Sequence, residues 1–169
     1  MLKSGVCNSI VLIAMLFQMS SAQQNSFKQI TFSDSKRNGF PNWSPCGKYI
    51  FYGSSNKETC NTMKIASDGG DAIKLTNYFT HHARCSPDGK YLVSGSEDKV
   101  LLIYDLTSNE IVSKFTDNYF PPRAIIITPT NNIFLGAGSD IKRIDFSNNT
   151  LGVYKGNSTH IWSVAYAPE

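Results

Sequence analysis

Apolar residues in this chain come in short bursts separated by Gly, Pro, Asn, Asp and Ser, and after position 26 no stretch keeps them at helical spacing long enough to make a helix. The pattern therefore predicts strands. They fall at 40–44, 49–53, 63–67 and 72–76, then at 83–85, 91–96, 100–105 and 111–115, then at 123–128, 133–136, 141–146 and 151–154. A short strand at 27–32 precedes them, followed by a polar loop ending at Gly39, and a last burst at 161–165 opens a further group. Runs such as Val100-Leu101-Leu102-Ile103-Tyr104 are continuously apolar, which suits strands covered on both faces.

The turns repeat with the strands. Ser44-Pro45-Cys46-Gly47-Lys48-Tyr49-Ile50 returns as Ser86-Pro87-Asp88-Gly89-Lys90-Tyr91-Leu92, then as Thr128-Pro129-Thr130-Asn131-Asn132-Ile133, and again at Tyr166-Ala167-Pro168-Glu169. The prolines at 45, 87, 129 and 168 lie 42, 42 and 39 residues apart. Proline presets φ at the second position of a type I turn, Asp tolerates the third and Gly suits the fourth. A tight turn every forty-odd residues marks stacked β units, each a four-stranded antiparallel sheet that buries its apolar faces only against its neighbours. The fold class expected is all-β, organised as residues 1–22, 23–39, three units at 40–80, 81–122 and 123–160, and the first strand of a fourth at 161–169.

These repeats resemble the WD-repeat β-propellers and their TolB-like relatives. The first unit is closer to the TolB-like style, with Phe40-Pro41-Asn42-Trp43-Ser44-Pro45 followed by Ala66-Ser67-Asp68-Gly69-Gly70 and Ile73-Lys74-Leu75-Thr76. The second is closer to a WD repeat, with Ser94-Gly95-Ser96-Glu97-Asp98 and with Ile103-Tyr104-Asp105 where the family often has Trp-Asp. Tyr104-Asp105 and Ile144-Asp145 lack that tryptophan, and Asn157 stands where a WD repeat usually has a histidine. Of the family's polar network inside each blade, Ser94 and Asp98 remain.

The resemblance implies three blades and one strand of an incomplete propeller, since closed rings have four to eight blades. It also implies a non-enzymatic module that binds a protein partner through loop tips and the channel mouth, or associates with itself to complete a ring. The tips would be 56–57, 81–84 and 119–122, with Phe120, His81, His82 and Arg84 as partner contacts and Phe120 preferred, because prolines 121 and 122 leave it little entropy to lose. The same resemblance leaves open the propeller half of a peptidase-like hydrolase, a TolB-like envelope transport component and a cytosolic scaffold.

Charge changes this picture little: 16 Lys and Arg against 13 Asp and Glu give a net +3, scattered along the chain, which argues against nucleic-acid binding. The first 22 residues have the form of an export signal. Lys3 supplies the charge, residues 10–17 the apolar core and Ser20-Ser21-Ala22 the cleavage site, so a secreted or periplasmic product starting at Gln23 is expected. That apolar run is too short to span a bilayer comfortably.

Export makes cysteine pairing relevant. Of the four cysteines, Cys46 and Cys60 belong at opposite ends of one sheet, whereas Cys46 and Cys85 belong at the same end of adjacent sheets and form the candidate disulfide. Sequons begin at Asn42, Asn148 and Asn157; the last two lie in expected turns and are the candidate glycan sites. His81-His82 would point opposite ways on an extended chain, and there is no Cys-x-x-Cys, no Gly-x-Ser-x-Gly elbow and no phosphate loop. No metal, cofactor or catalytic residue is therefore expected.

Overall fold

A computed structural model describes residues 12–13, 28–31, 37–56, 58–77, 80–116, 120–147, 149–156 and 160–167. The strands are β1 (Leu12–Ile13), β2 (Lys28–Gln29), β3 (Arg37–Trp43), β4 (Tyr49–Ser55), β5 (Cys60–Ala66), β6 (Ile73–Lys74), β7 (Thr80–Cys85), β8 (Tyr91–Ser96), β9 (Leu101–Asp105), β10 (Glu110–Phe115), β11 (Pro122–Ile127), β12 (Ile133–Ala137), β13 (Asp140–Ile144) and β14 (Thr150–Tyr154). From β3 onward they form three antiparallel four-stranded meanders, β3 to β6, β7 to β10 and β11 to β14. These are three propeller blades. Their first strands, β3, β7 and β11, lie side by side, with β7 against both others.

The Ser/Thr-Pro turn sets the entry to each second strand in the same way. The amide of the fourth turn residue donates to the carbonyl of the first, from Gly47 to Ser44, from Gly89 to Ser86 and from Asn131 to Thr128, each at 2.9 Å. The hydroxyl at the first position then accepts the amide of the next strand: Tyr49 to Ser44 at 3.0 Å, Tyr91 to Ser86 at 2.8 Å and Asn132 to Thr128 at 3.2 Å. Gly47 and Gly89 take φ of 69° and 75°, and Asn131 takes 57° at the equivalent place. Asn is among the few side chains that tolerate this left-handed region, so the third copy keeps the geometry without a glycine.

Continuous apolar runs are covered on both faces. On the middle blade, Leu92 and Tyr104 pack toward the first blade with Phe51, Leu75 and Ala83, while Val93, Leu101 and Ile103 pack toward the third with Ile125, Ile127, Ile133, Leu135 and Ile144. The far face of the first blade holds Ile50, Tyr52 and Ile65, and Ile30, just after β2, is buried among them. Between the first two blades lies a polar knot. The Thr62 hydroxyl is 2.8 Å from that of Thr80 and 3.1 Å from that of Ser94, and Thr76 is 2.9 Å from Thr80. The Thr62 amide donates to the Thr76 hydroxyl at 3.0 Å, so these buried groups satisfy one another, which avoids a penalty of about 1–3 kcal/mol for each orphan. Ser94 thus enters an inter-blade network. Asp98 stays in its local turn, its amide donating to Ser96 Oγ at 3.2 Å.

The strand limits differ from the sequence pattern where the backbone alone carries the pairing. β3 begins at Arg37, inside the expected polar loop, because a bulge between Gly39 and Asn42 lets 37–39 pair with 53–55. β7 begins at Thr80, so His81 and His82 belong to an inner strand and not to a connecting loop; the buried Thr80 hydroxyl anchors its start. The strand expected at 27–32 is reduced to Lys28–Gln29, paired with Leu12–Ile13, and residues 27 and 32 lie outside the described residues. Of the residues 161–169 expected to begin another blade, the described 161–167 join no ladder; the Ile161 amide donates to the Gly138 carbonyl at 2.8 Å. Among the described residues no helix is long and apolar enough to cross a membrane.

Candidate binding groove on the inner strands

The three inner strands and the terminal segment enclose an open groove of about 350 Å³. It is lined by Phe40 from β3, His82 and Arg84 from β7, Arg123 from β11 and Trp162 from the terminal segment, together with Glu97, Ala124 and Ile125. His82 and Arg84 reach it together because residues two apart share a face of a strand.

Phe40 arrives by a different route. In the β3 bulge it takes φ of 54°, unusual for a bulky residue, and this turns its ring against His82 with centroids 4.2 Å apart. Such a conformation costs on the order of 1–2 kcal/mol and persists only where the surroundings fix it. Opposite, Arg123 is held between two partners. Its Nη2 donates to Glu97 Oε2 at 3.2 Å, and its guanidinium lies 5.2 Å from the Trp162 ring centre, a cation–π contact. Trp162 is nevertheless 67% exposed and Phe40 49% exposed, so both offer open aromatic surface.

Arg84 is the residue whose environment is least balanced. It is half-buried, burial lowers its pKa, and its guanidinium donates to the Ala83 carbonyl at 3.1 Å. Among the described residues it forms no ion pair with a carboxylate. The groove therefore combines two guanidiniums, one carboxylate and two exposed aromatic rings, a set suited to holding a peptide by planar hydrogen bonding and ring contact.

The other expected sites are dispersed. Phe120 stands apart from the groove, edge-on to His160 at 5.5 Å and so close over Gly138 that a Cβ there would collide with its ring. The side chain of His81 lies outside the described residues, as do Lys57, Tyr119 and the candidate glycan sites Asn148 and Asn157. Asn42 uses its side-chain oxygen to accept the Cys85 amide at 3.0 Å, which ties β3 to β7.

No bridge joins Cys46 and Cys85. Cys46, Cys60 and Cys85 are exposed, buried and half-buried in that order, and the Cys60 thiol donates to the Thr80 carbonyl at 3.2 Å. Cys46 lies 3.3 Å from Ser44 Oγ, and this contact lowers its pKa; burial pushes Cys60 and Cys85 up to about 11, with Asp88 and then Cys46 adding to the effect at Cys85.

Phe40, Glu97, Arg123 and Trp162 were not singled out by the sequence reading. Phe40 and Trp162 stood inside expected inner strands, and only the bulge and the unpaired terminal segment turn them to the groove. The one local signal is Gly39-Phe40-Pro41, two backbone-altering residues flanking an aromatic within a strand.

Comparison with known proteins places a family-model match, WD domain, G-beta repeat, on residues 76–105, which take in β7 to β9 of the middle blade. Protein hir-1 of Neurospora crassa is 28% identical over 110 residues, 52% of this chain and 11% of that protein. Protein hir1 of Aspergillus fumigatus is 38% identical over 74 residues, 42% of this chain and 7% of that protein. In structure, the chain is similar to a chain of the mitotic checkpoint complex, with a TM-score of 0.63 and 14% identity over 86% of this chain and 49% of that one. It is also similar to the RRP9 WD40 repeats, with a TM-score of 0.62 and 20% identity over 79% of this chain and 43% of that one. The chain thus spans about a tenth of these fungal relatives and under half of each of these propeller chains.

Proposed function

We propose that this chain, which is built of WD-type β-propeller repeats, is a non-enzymatic scaffold that binds a protein partner through the groove on its inner strands. One observation carries the reading: Phe40, His82, Arg84, Arg123 and Trp162, from three blades and the terminal segment, converge on one open space. Exposed aromatic and arginine side chains on a rigid frame are the composition of interface hot spots. The propeller neighbour in the mitotic checkpoint complex works inside a protein assembly, which favours the same use of the fold here.

Affinity capture with the full chain tests the reading. Trp162→Ala and Phe40→Ala are expected to abolish recovery of the bound protein, whereas Ile111→Ala, on the outer strand β10, is expected to leave it intact. Loss with the β10 variant alone contradicts the groove. Association of two copies to extend the row of blades is part of the same proposal, and light scattering showing a strict monomer at all concentrations excludes it. Export is proposed on the form of residues 1–22: a native N-terminus at Gln23 supports it, and one at Met1 contradicts it.

A further inference from the structure

The groove's charges do not balance. Its lining holds Arg84, Arg123 and Glu97, and the single carboxylate is already engaged by Arg123 at 3.2 Å. Arg84, half-buried and lining the groove with Phe40 and His82, carries a planar fork of donors of which one bond, to the Ala83 carbonyl, is made among the described residues. A partly desolvated guanidinium without an anion is costly, and the partner that matches its fork is a planar carboxylate.

Resting on the protein-binding reading above, we infer that the groove recognises an acidic peptide segment, an Asp or Glu carboxylate meeting Arg84 while an adjacent apolar side chain lies against Trp162 or Phe40. Phosphate is the weaker fit. Glu97 in the lining repels a dianion, and the chain's other cations are scattered along the sequence.

The test is fluorescence anisotropy on the full chain with a labelled short peptide of Glu-Phe pairs spaced by Gly and Ser. Its counterparts carry Gln or phosphoserine in place of Glu. The Glu peptide is expected to bind, with affinity falling as salt rises, and the Gln peptide to bind at least about tenfold more weakly. Arg84→Ala is expected to cause the same loss for the Glu peptide and none for the Gln peptide, and Arg84→Lys to restore only part of it. Glu97→Gln releases Arg123 and is expected to tighten the Glu peptide, a gain that misfolding does not mimic. Equal binding of Glu and Gln peptides, or tighter binding of the phosphoserine peptide, overturns the acidic-peptide inference and leaves the protein-binding reading standing. If no peptide binds and Trp162→Ala also leaves affinity capture unchanged, both fall.

Discussion

At Cys46 the residue's own turn decides its chemistry. The thiol is exposed and its pKa is lowered by the neighbouring Ser44 hydroxyl, while burial holds Cys60 and Cys85 near 11, so at neutral pH they carry far less thiolate. Among these three, iodoacetamide at neutral pH is expected to label Cys46 first and the others only after unfolding, as read by peptide mass spectrometry. Labelling of all three at one rate contradicts this placement. The same scale explains Phe40, whose left-handed backbone carries its ring out of the strand and into the groove.

At the scale of the element, turns and blade faces make separate contributions. Asp105 accepts the amides of Thr107 at 2.7 Å and Ser108 at 3.2 Å, and Asp145 accepts those of Ser147 and Asn149 at 2.9 Å each, so both hold the turn into a fourth strand. At Asp145 the Asn149 side-chain amide, donating to Oδ2 at 2.8 Å, contributes most, and together with these backbone bonds it lowers that carboxyl pKa below the ordinary 3.8, as the Thr107 and Ser108 amides do at Asp105. A carboxyl depressed in the folded state adds stability above its unfolded pKa and loses it as pH falls through the folded one. The double variant Asp105→Asn, Asp145→Asn is therefore expected to be less stable at neutral pH and to lose less on acidification below about 3.8, as read by urea unfolding; an unchanged pH profile contradicts the assignment. In the middle blade Leu92 and Leu101 are both 0% exposed on opposite faces. Leu92→Ala and Leu101→Ala are each expected to cost about 2–5 kcal/mol in the same measurement, against less than about 0.5 kcal/mol for Val153→Ala, a 45% exposed side chain on the outer strand β14.

At the scale of the whole molecule, the blades were legible in the sequence because each depends on local signals. The Ser/Thr-Pro turn and the doubly covered apolar runs recur at a nearly constant period, and each of the twelve blade strands overlaps a stretch expected as strand, though strands such as β3 and β7 begin three residues earlier. The groove was not legible in the same way. His82 and Arg84 were marked, though on a loop, because an inner strand that starts with the buried Thr80 hydroxyl and two histidines has no apolar run to announce it. Phe40 and Trp162 are 122 residues apart and meet only through a bulge and an unpaired segment, and neither has a periodic signature. Phe120, the aromatic with the strongest local signal, packs over the Gly138 turn. The proposed function requires that a partner lie in this groove and not along an outer strand. It is tested most directly by a photoreactive phenylalanine analogue placed at Ser163, in the groove wall, or at Val112, on exposed β10, in the full chain irradiated with its partner. A covalent adduct from position 163 and none from 112 is expected, and an adduct from 112 alone rules the groove out as the partner's seat.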